Sequence, residues 1–329
     1  MQHSATEALR ELEPILRSIE EERSQKVRQF AQTTLWSVVV GGVASLLAAF
    51  FQLGVWALVP LGIALLIIGI TYATSASDWR NTFKTAVMSR LVRLVHPSLK
   101  YFPNRAITEQ EYRLSMLFHN SPDPDHYSGE DYIEGIIDKT DIRLSELHTQ
   151  YREVFYDSRG RRYERWVTIF RGLFISADFH KHFHGITLVL PDTEQSWLGG
   201  LGQWLQSLSA KLGNQPGELV KMEDPEFERL FKVFSTDPIE ARYILTPNMI
   251  RRLVEFRNRT RAQVRLSFIA SRVFVAIPTK HDYFEPPSLF APANQLLDSN
   301  TLAQYFAELQ FVLAVVDELN LNTRIWTKR

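Results

Sequence analysis

The sequence predicts an α+β protein: an N-terminal hairpin of two transmembrane helices, then a cytoplasmic domain with a mainly antiparallel sheet and a C-terminal helix. Three observations predict it. Positions 29–77 contain no Asp, Glu, Lys, Arg or His. Positions 131–277 alternate apolar and polar residues between turn signals, the mark of half-buried strands. Ser299 can cap a stretch in which Leu302, Phe306, Leu309, Leu313, Val316 and Leu319 share a helical face.

The charge-free run holds two apolar segments, Thr34–Phe51 and Gly54–Ala73. At about 1.5 Å per helical residue each reaches roughly the 30 Å of a hydrocarbon core. Within lipid a helix satisfies all its own backbone groups, so a helical hairpin is the economical structure. Arg23, Lys26 and Arg28 precede the first span, Arg80, Lys84, Arg90 and Arg93 follow the second, and the connecting turn has no cation. That asymmetry predicts that both ends face the cytoplasm. Trp36, Trp56, Tyr72 and Trp79 fall at the expected interfaces, and Gly41-x-x-x-Ser45 permits close approach of the two helices.

Composition limits the function classes. The chain of 329 residues carries 37 Lys+Arg and 37 Asp+Glu, so no net charge points to nucleic acid. It has no cysteine, which removes disulfides, thiolate nucleophiles and cysteine zinc sites together. No Gly-x-Ser-x-Gly elbow, His-Glu-x-x-His helix or Walker loop occurs, and no cofactor is expected.

Taken in order, positions 1–33 form a cytoplasmic amphipathic helix through Leu9, Leu12, Leu16 and Ile19, and positions 34–73 form the hairpin. Positions 74–105 form a basic juxtamembrane helix, with Trp79, Arg80, Lys84, Arg90 and Arg93 as candidates for the membrane surface and Trp79, Phe83, Val87 and Leu91 as its apolar stripe. Positions 106–329 form the cytoplasmic α+β domain. In it, Thr108 and Glu111 begin a helix, and Tyr132–Asp138, Asp141–Phe155, Arg165–Ile175 and Ile186–Leu190 read as strands. Ala270-Ser271-Arg272 joins a hairpin. Ser196–Lys211, with Gly199, Gly200 and Gly202 among tryptophans and leucines, reads as an apolar insert.

Two clusters are site-like. Asp224-Pro225, Asp237-Pro238 and Thr246-Pro247 each set a capping side chain before a proline whose missing N–H costs nothing at a helix start, and Glu240 can complete a capping box with Asp237. Asp237, Glu240, Arg242, Tyr243 and Thr246 are therefore structural or interaction candidates, and a membrane-bound hydrolase or phosphoryl-handling enzyme would use Asp237, Glu240 and Arg242. His180, His182 and His184 alternate, in phase with Asp178, as a metal or pH sensor would require.

The segment LVKMEDPEFERLFKVFSTDPIEARYILTPNMIRRLVEF at 219–256, with Arg171–Phe179, Gly185–Asp192 and the double span, resembles a bacterial family of two-span membrane proteins catalogued as a domain of unknown function, number three-one-three-seven. The resemblance implies a cytoplasmic domain behind a membrane hairpin in the bacterial inner membrane, and brings no activity or catalytic residue with it. The expectation is a non-catalytic, membrane-anchored interaction or scaffold module, with the lipid bilayer and a protein as its partners.

Overall fold

The computed structural model describes residues 5–137, 139–179, 181–192, 217–292, 295 and 299–318, and the apolar insert expected at Ser196–Lys211 lies outside them. The chain divides into two units, Met1–Val95 with Phe284–Glu308, and His96–Tyr283 with Leu309–Arg329.

In the first unit, α1 (Ala5–Phe50) carries the amphipathic arm and the first apolar segment in one continuous helix. A short 3-10 turn at Gly54–Leu58 leads into α2 (Val59–Phe83), with Pro60 in its first turn where no donor is lost. The two helices approach closely at Gly41, where a Cβ would stand 2.7 Å from the Ala64 Cβ. Both helices are long and apolar enough to cross a membrane. Their apolar side chains face outward: Leu46 is 73% exposed and Phe50 80% in α1, and Leu65 64% in α2. Water would penalise that surface by about 25 cal/mol per Å², and a bilayer would not.

A single π turn, Lys84–Met88, joins α2 to α3 (Ser89–Val95). Here the structure corrects the reading of the juxtamembrane residues. Trp79 is buried and its indole N–H donates to the Pro287 carbonyl at 2.8 Å; Lys84 is buried with its ammonium 2.8 Å from Glu285, which also takes Arg80 at 3.2 Å. The apolar stripe Trp79, Phe83, Val87 and Leu91 is spent on protein, so Trp79 and Lys84 of the expected surface set face neither lipid nor water. Arg80, Arg90 and Arg93 remain exposed. Leu12, Leu16 and Ile19 are buried in the same unit, and Arg23 is held by Glu20 and by the carbonyls of Leu289 and Ala291.

The second unit is built on an antiparallel sheet, nine-stranded among the described residues. Its strands are β1 (Lys100–Phe102), β2 (His126–Ile137), β3 (Thr140–Tyr156), β4 (Arg162–Asp178), β5 (Thr187–Pro191), β6 (Glu218–Val220), β7 (Phe231–Ser235), β8 (Arg265–Ile269) and β9 (Arg272–Pro278), in the order β1-β2-β3-β4-β9-β8-β5-β7-β6. The hairpins read from alternation are present, with Phe155 opposite Tyr163 and Phe268 opposite Val273. The central strands β5, β8 and β9 are buried almost throughout, so both faces are covered. One face carries Phe174, Phe274, Leu188 and Phe234 against Tyr112 and Phe118. The helices are short: α4 (Glu109–Leu114), α5 (Pro225–Leu230), α6 (Pro238–Ile244) and α7 (Pro247–Thr260). The C-terminal helix α8 (Ser299–Glu318) follows, and in this unit its Phe311 stacks on Phe256 of α7 at 6.0 Å.

Candidate functional site

The 237–246 block was the strongest site signal in the sequence, and its Asp237, Glu240 and Thr246 side chains each accept from backbone amides. Asp237 accepts from the amides of Ile239 and Glu240 at 2.9 and 3.0 Å and caps α6; Thr246 accepts from Met249 and caps α7; Asp224 does the same for α5. Glu240 departs from the expected capping box. It reaches away from its own helix and accepts from the amides of His184 and Gly185 at 2.8 and 2.7 Å, pinning the segment between β4 and β5. A Cβ at Gly185 would stand 2.7 Å from that carboxylate, so only glycine lets it come so near. Arg242 donates to the Pro238 carbonyl at 3.3 Å, and Lys181 lies over the Tyr243 ring at 4.4 Å while donating to the Tyr243 carbonyl. The three groups that acid–base chemistry would use are thus held by a helix start, two loop amides and a carbonyl. Outward the block presents Ile239, 80% exposed, and Tyr243, 47% exposed, with exposed Arg242 between them.

His182 and His184 lie past the end of β4, outside any strand and exposed on either side of buried Phe183; His180 is outside the described residues. Asp178, in phase with them, is instead 2.7 Å from the Arg272 guanidinium, which also binds Asp141 at 3.1 Å.

A cleft of about 470 Å³ that the sequence did not single out opens between β2, β3 and β4 and the segment after β9. Ser128, Glu130, Glu146, His148, Arg171 and Asp282 line it. Glu146 is buried and accepts a hydrogen bond from the Tyr283 amide. Burial pushes its carboxyl up to about 8, with Asp131, Asp282 and Glu130 adding to the rise against the lowering pull of that amide. His148 is pushed the other way, by burial and then by Arg171 and His126. Near neutral pH the cleft therefore presents an uncharged carboxyl able to donate a proton, beside an imidazole that stays neutral and an Arg171–Asp282 ion pair of 2.6 Å. Gly172, at φ +150, lies where a Cβ would meet the Ile277 carbonyl oxygen at 2.2 Å, so only glycine fits at this point of β4. The one sequence signal for Glu146 is its phase with Ile142 and Leu144, a carboxylate where alternation calls for an apolar residue.

Comparison with known proteins supplies a family match and no activity. Residues 168–321 match the family model described as "Protein of unknown function (DUF3137)", which bears out the resemblance read from the sequence over that part of the chain. Residues 16–110 match a second model, described as "Polysaccharide biosynthesis protein". No curated protein matches the chain. Among solved structures, the crystal structure of the mycobacterial trehalose monomycolate transport factor A, TtfA, is similar with 10% identity and a TM-score of 0.35, over 68% of this chain and 95% of that one.

Proposed function

We propose that the chain is an integral protein of the bacterial inner membrane, with both termini in the cytoplasm, whose globular unit binds other proteins and does no chemistry on them. The observation that carries the anchoring is the outward apolar surface of α1 and α2 within a charge-free run at 29–77. The cations on both flanks and their absence from the turn support the sidedness. The occupied carboxylates of the 237–246 block, with Ile239 and Tyr243 left outward, support binding over catalysis at that surface.

Because the chain has no cysteine, single cysteines report sidedness directly. In intact spheroplasts, Leu53→Cys is expected to react with a membrane-impermeant maleimide, and Arg242→Cys only after the membrane is opened. Recovery of the chain in the supernatant after carbonate extraction, or labelling of Arg242→Cys in intact spheroplasts, overturns the assignment. The binding role is tested by a photocrosslinking residue at position 239 or 243 of the full chain in its membrane. A discrete protein adduct, reproduced between preparations, is expected from these positions. No such adduct from either position overturns the role.

A further inference from the structure

A second run without Asp, Glu, Lys, Arg or His lies far from the spans in sequence, at positions 286–297, and opens on Pro286 and Pro287, with Pro292 further on. In the first unit its beginning, as far as Pro292, is strapped onto α1 and α2. Trp79 of α2 donates its indole N–H to the Pro287 carbonyl at 2.8 Å. Arg23 of α1, buried and held by Glu20 at 2.6 and 3.0 Å, donates to the carbonyls of Leu289 and Ala291 at 2.8 Å each and of Pro292 at 3.4 Å. The carbonyls on both sides of Phe290 are thus turned onto one buried guanidinium, and the Leu289 side chain is buried with them. Phe290 is left outside, 47% exposed.

The ring joins two others. Phe290 stacks on Tyr72 of α2, with centroids 6.0 Å apart and planes at 6°, and lies 5.3 Å from Phe30 of α1; Phe30 and Tyr72 are 6.1 Å apart. The level of this trio along the two helices is fixed by sequence. Phe30 follows Arg28, the last charge before the 29–77 run, and precedes Leu35 and Trp36, 62% and 66% exposed. Tyr72 follows exposed Ile70 and stands six residues, about 9 Å of helix rise, before Asp78. The three rings therefore lie at the step from charged to outward apolar surface, the level that interfacial aromatics occupy. Beside them Thr71 and Thr74 spend their hydroxyls on the Ile67 and Ile70 carbonyls of their own helix, at 2.8 and 3.1 Å, so these groups need no partner from water.

Continuity selects the partner of this patch: the trio extends the same outward apolar surface of α1 and α2 that a bilayer covers. We propose that the strap at 286–292 lies on the membrane surface, with the Phe290 ring in the boundary between headgroups and acyl chains, where it completes a three-ring anchor with Phe30 and Tyr72. The inference rests on the reading of α1 and α2 as membrane spans. It adds to them a further point of lipid contact, supplied by a segment that follows β9 rather than by the spans themselves. Withdrawing the ring would return its exposed face to water, so the strap is held on two sides, by Arg23 and Trp79 on the protein and by lipid at Phe290.

The test uses the full chain in vesicles of phosphatidylethanolamine and phosphatidylglycerol. With no cysteine in the chain, an environment-sensitive dye can be set at one position at a time. Phe290→Cys carries the test, Arg17→Cys on exposed α1 surface is the water reference, and Leu65→Cys on the outward face of α2 is the hydrocarbon reference. Quenching by a lipid nitroxide near the headgroup is expected to be at least threefold stronger at 290 than at 17. At 290 it should also exceed quenching by a nitroxide at the end of the acyl chain, and at 65 that order should reverse. Iodide in the buffer should quench most at 17 and least at 65. Ser288→Cys, at an exposed position of the strap, leaves all three rings in place and should also feel the headgroup nitroxide more than position 17; should the Phe290→Cys chain fail to fold, the dye at 288 decides. Iodide quenching equal to that at 17 with neither nitroxide felt overturns the proposal. So does protection from iodide and nitroxides alike, which would mean that protein covers the ring. If the spans themselves are misread, the dye at 65 escapes both nitroxides; if only the strap is misread, the dye at 65 is quenched and the dye at 290 is not.

Discussion

Two glutamates in the globular unit stand in opposite circumstances. Glu240 lies at the start of a helix with each carboxylate oxygen taking a backbone amide, His184 on one and Gly185 on the other. Glu146 lies in the middle of a strand with the Tyr283 amide on one oxygen and Asp131, Asp282 and Glu130 around it. The first is spent on two amides; burial pushes the carboxyl of the second up. Between two residues of one type, burial and a short supply of donors together separate a carboxyl kept protonated from one spent as a structural clamp.

The comparison breaks most visibly at Glu240. Glu240→Ala withdraws the acceptor from two amides at once, and a charged acceptor is worth more than a neutral one. A loss of about 3 kcal/mol is expected, read by denaturant unfolding of the full chain in micelles, with faster hydrogen exchange at His184 and Gly185. Exchange unchanged at those amides would mean that the loop is held by something else.

Glu146→Gln should act in the opposite direction and depend on pH. Below the unfolded glutamate value, about 4.3, the carboxyl is protonated in both states and contributes no pH dependence. As pH rises, the unfolded chain ionises first and stability falls, until the folded carboxyl also ionises near pH 8 and the difference levels off. Glutamine keeps an acceptor for the Tyr283 amide and cannot ionise. The variant is therefore expected to match the parent near pH 4 and to exceed it by roughly 1–3 kcal/mol at pH 8, read as melting temperature against pH. A pH-independent difference would remove the buried-carboxyl reading of the cleft.

How much of this was visible in the sequence follows the reach of each interaction. The caps at Asp224, Asp237 and Thr246 were legible because a cap bonds two or three residues downstream. The hairpins of β3 with β4 and of β8 with β9 were legible because alternation is local. β7 was hidden: Phe231–Ser235 sits between two capped helices and becomes a strand only by pairing with Thr187–Pro191 on one side and Glu218–Val220 on the other. The burial of Lys84 depends on Glu285, and the clamp of Glu240 on a loop 55 residues upstream. Glu146 was missed for the same reason, since Tyr283 and Asp282 reach it from far along the chain.

The smallest effects grade the caps themselves. Asp237 makes two bonds of 2.9 and 3.0 Å, while Thr246 makes one of 3.4 Å to Met249, near the limit of a useful hydrogen bond. Asp237→Ala should cost about 1 kcal/mol and Thr246→Ala about 0.5 kcal/mol. Exchange at Ile239 and Glu240 should speed up in the first variant, and at Met249 in the second. Thr246→Asp offers a carboxylate in place of the hydroxyl at the same helix start, where the aligned peptide dipoles favour negative charge. It should therefore recover the alanine loss or exceed it. A further loss in its place would mean that the Thr246 side chain is held by packing rather than by its bond to the α7 amide.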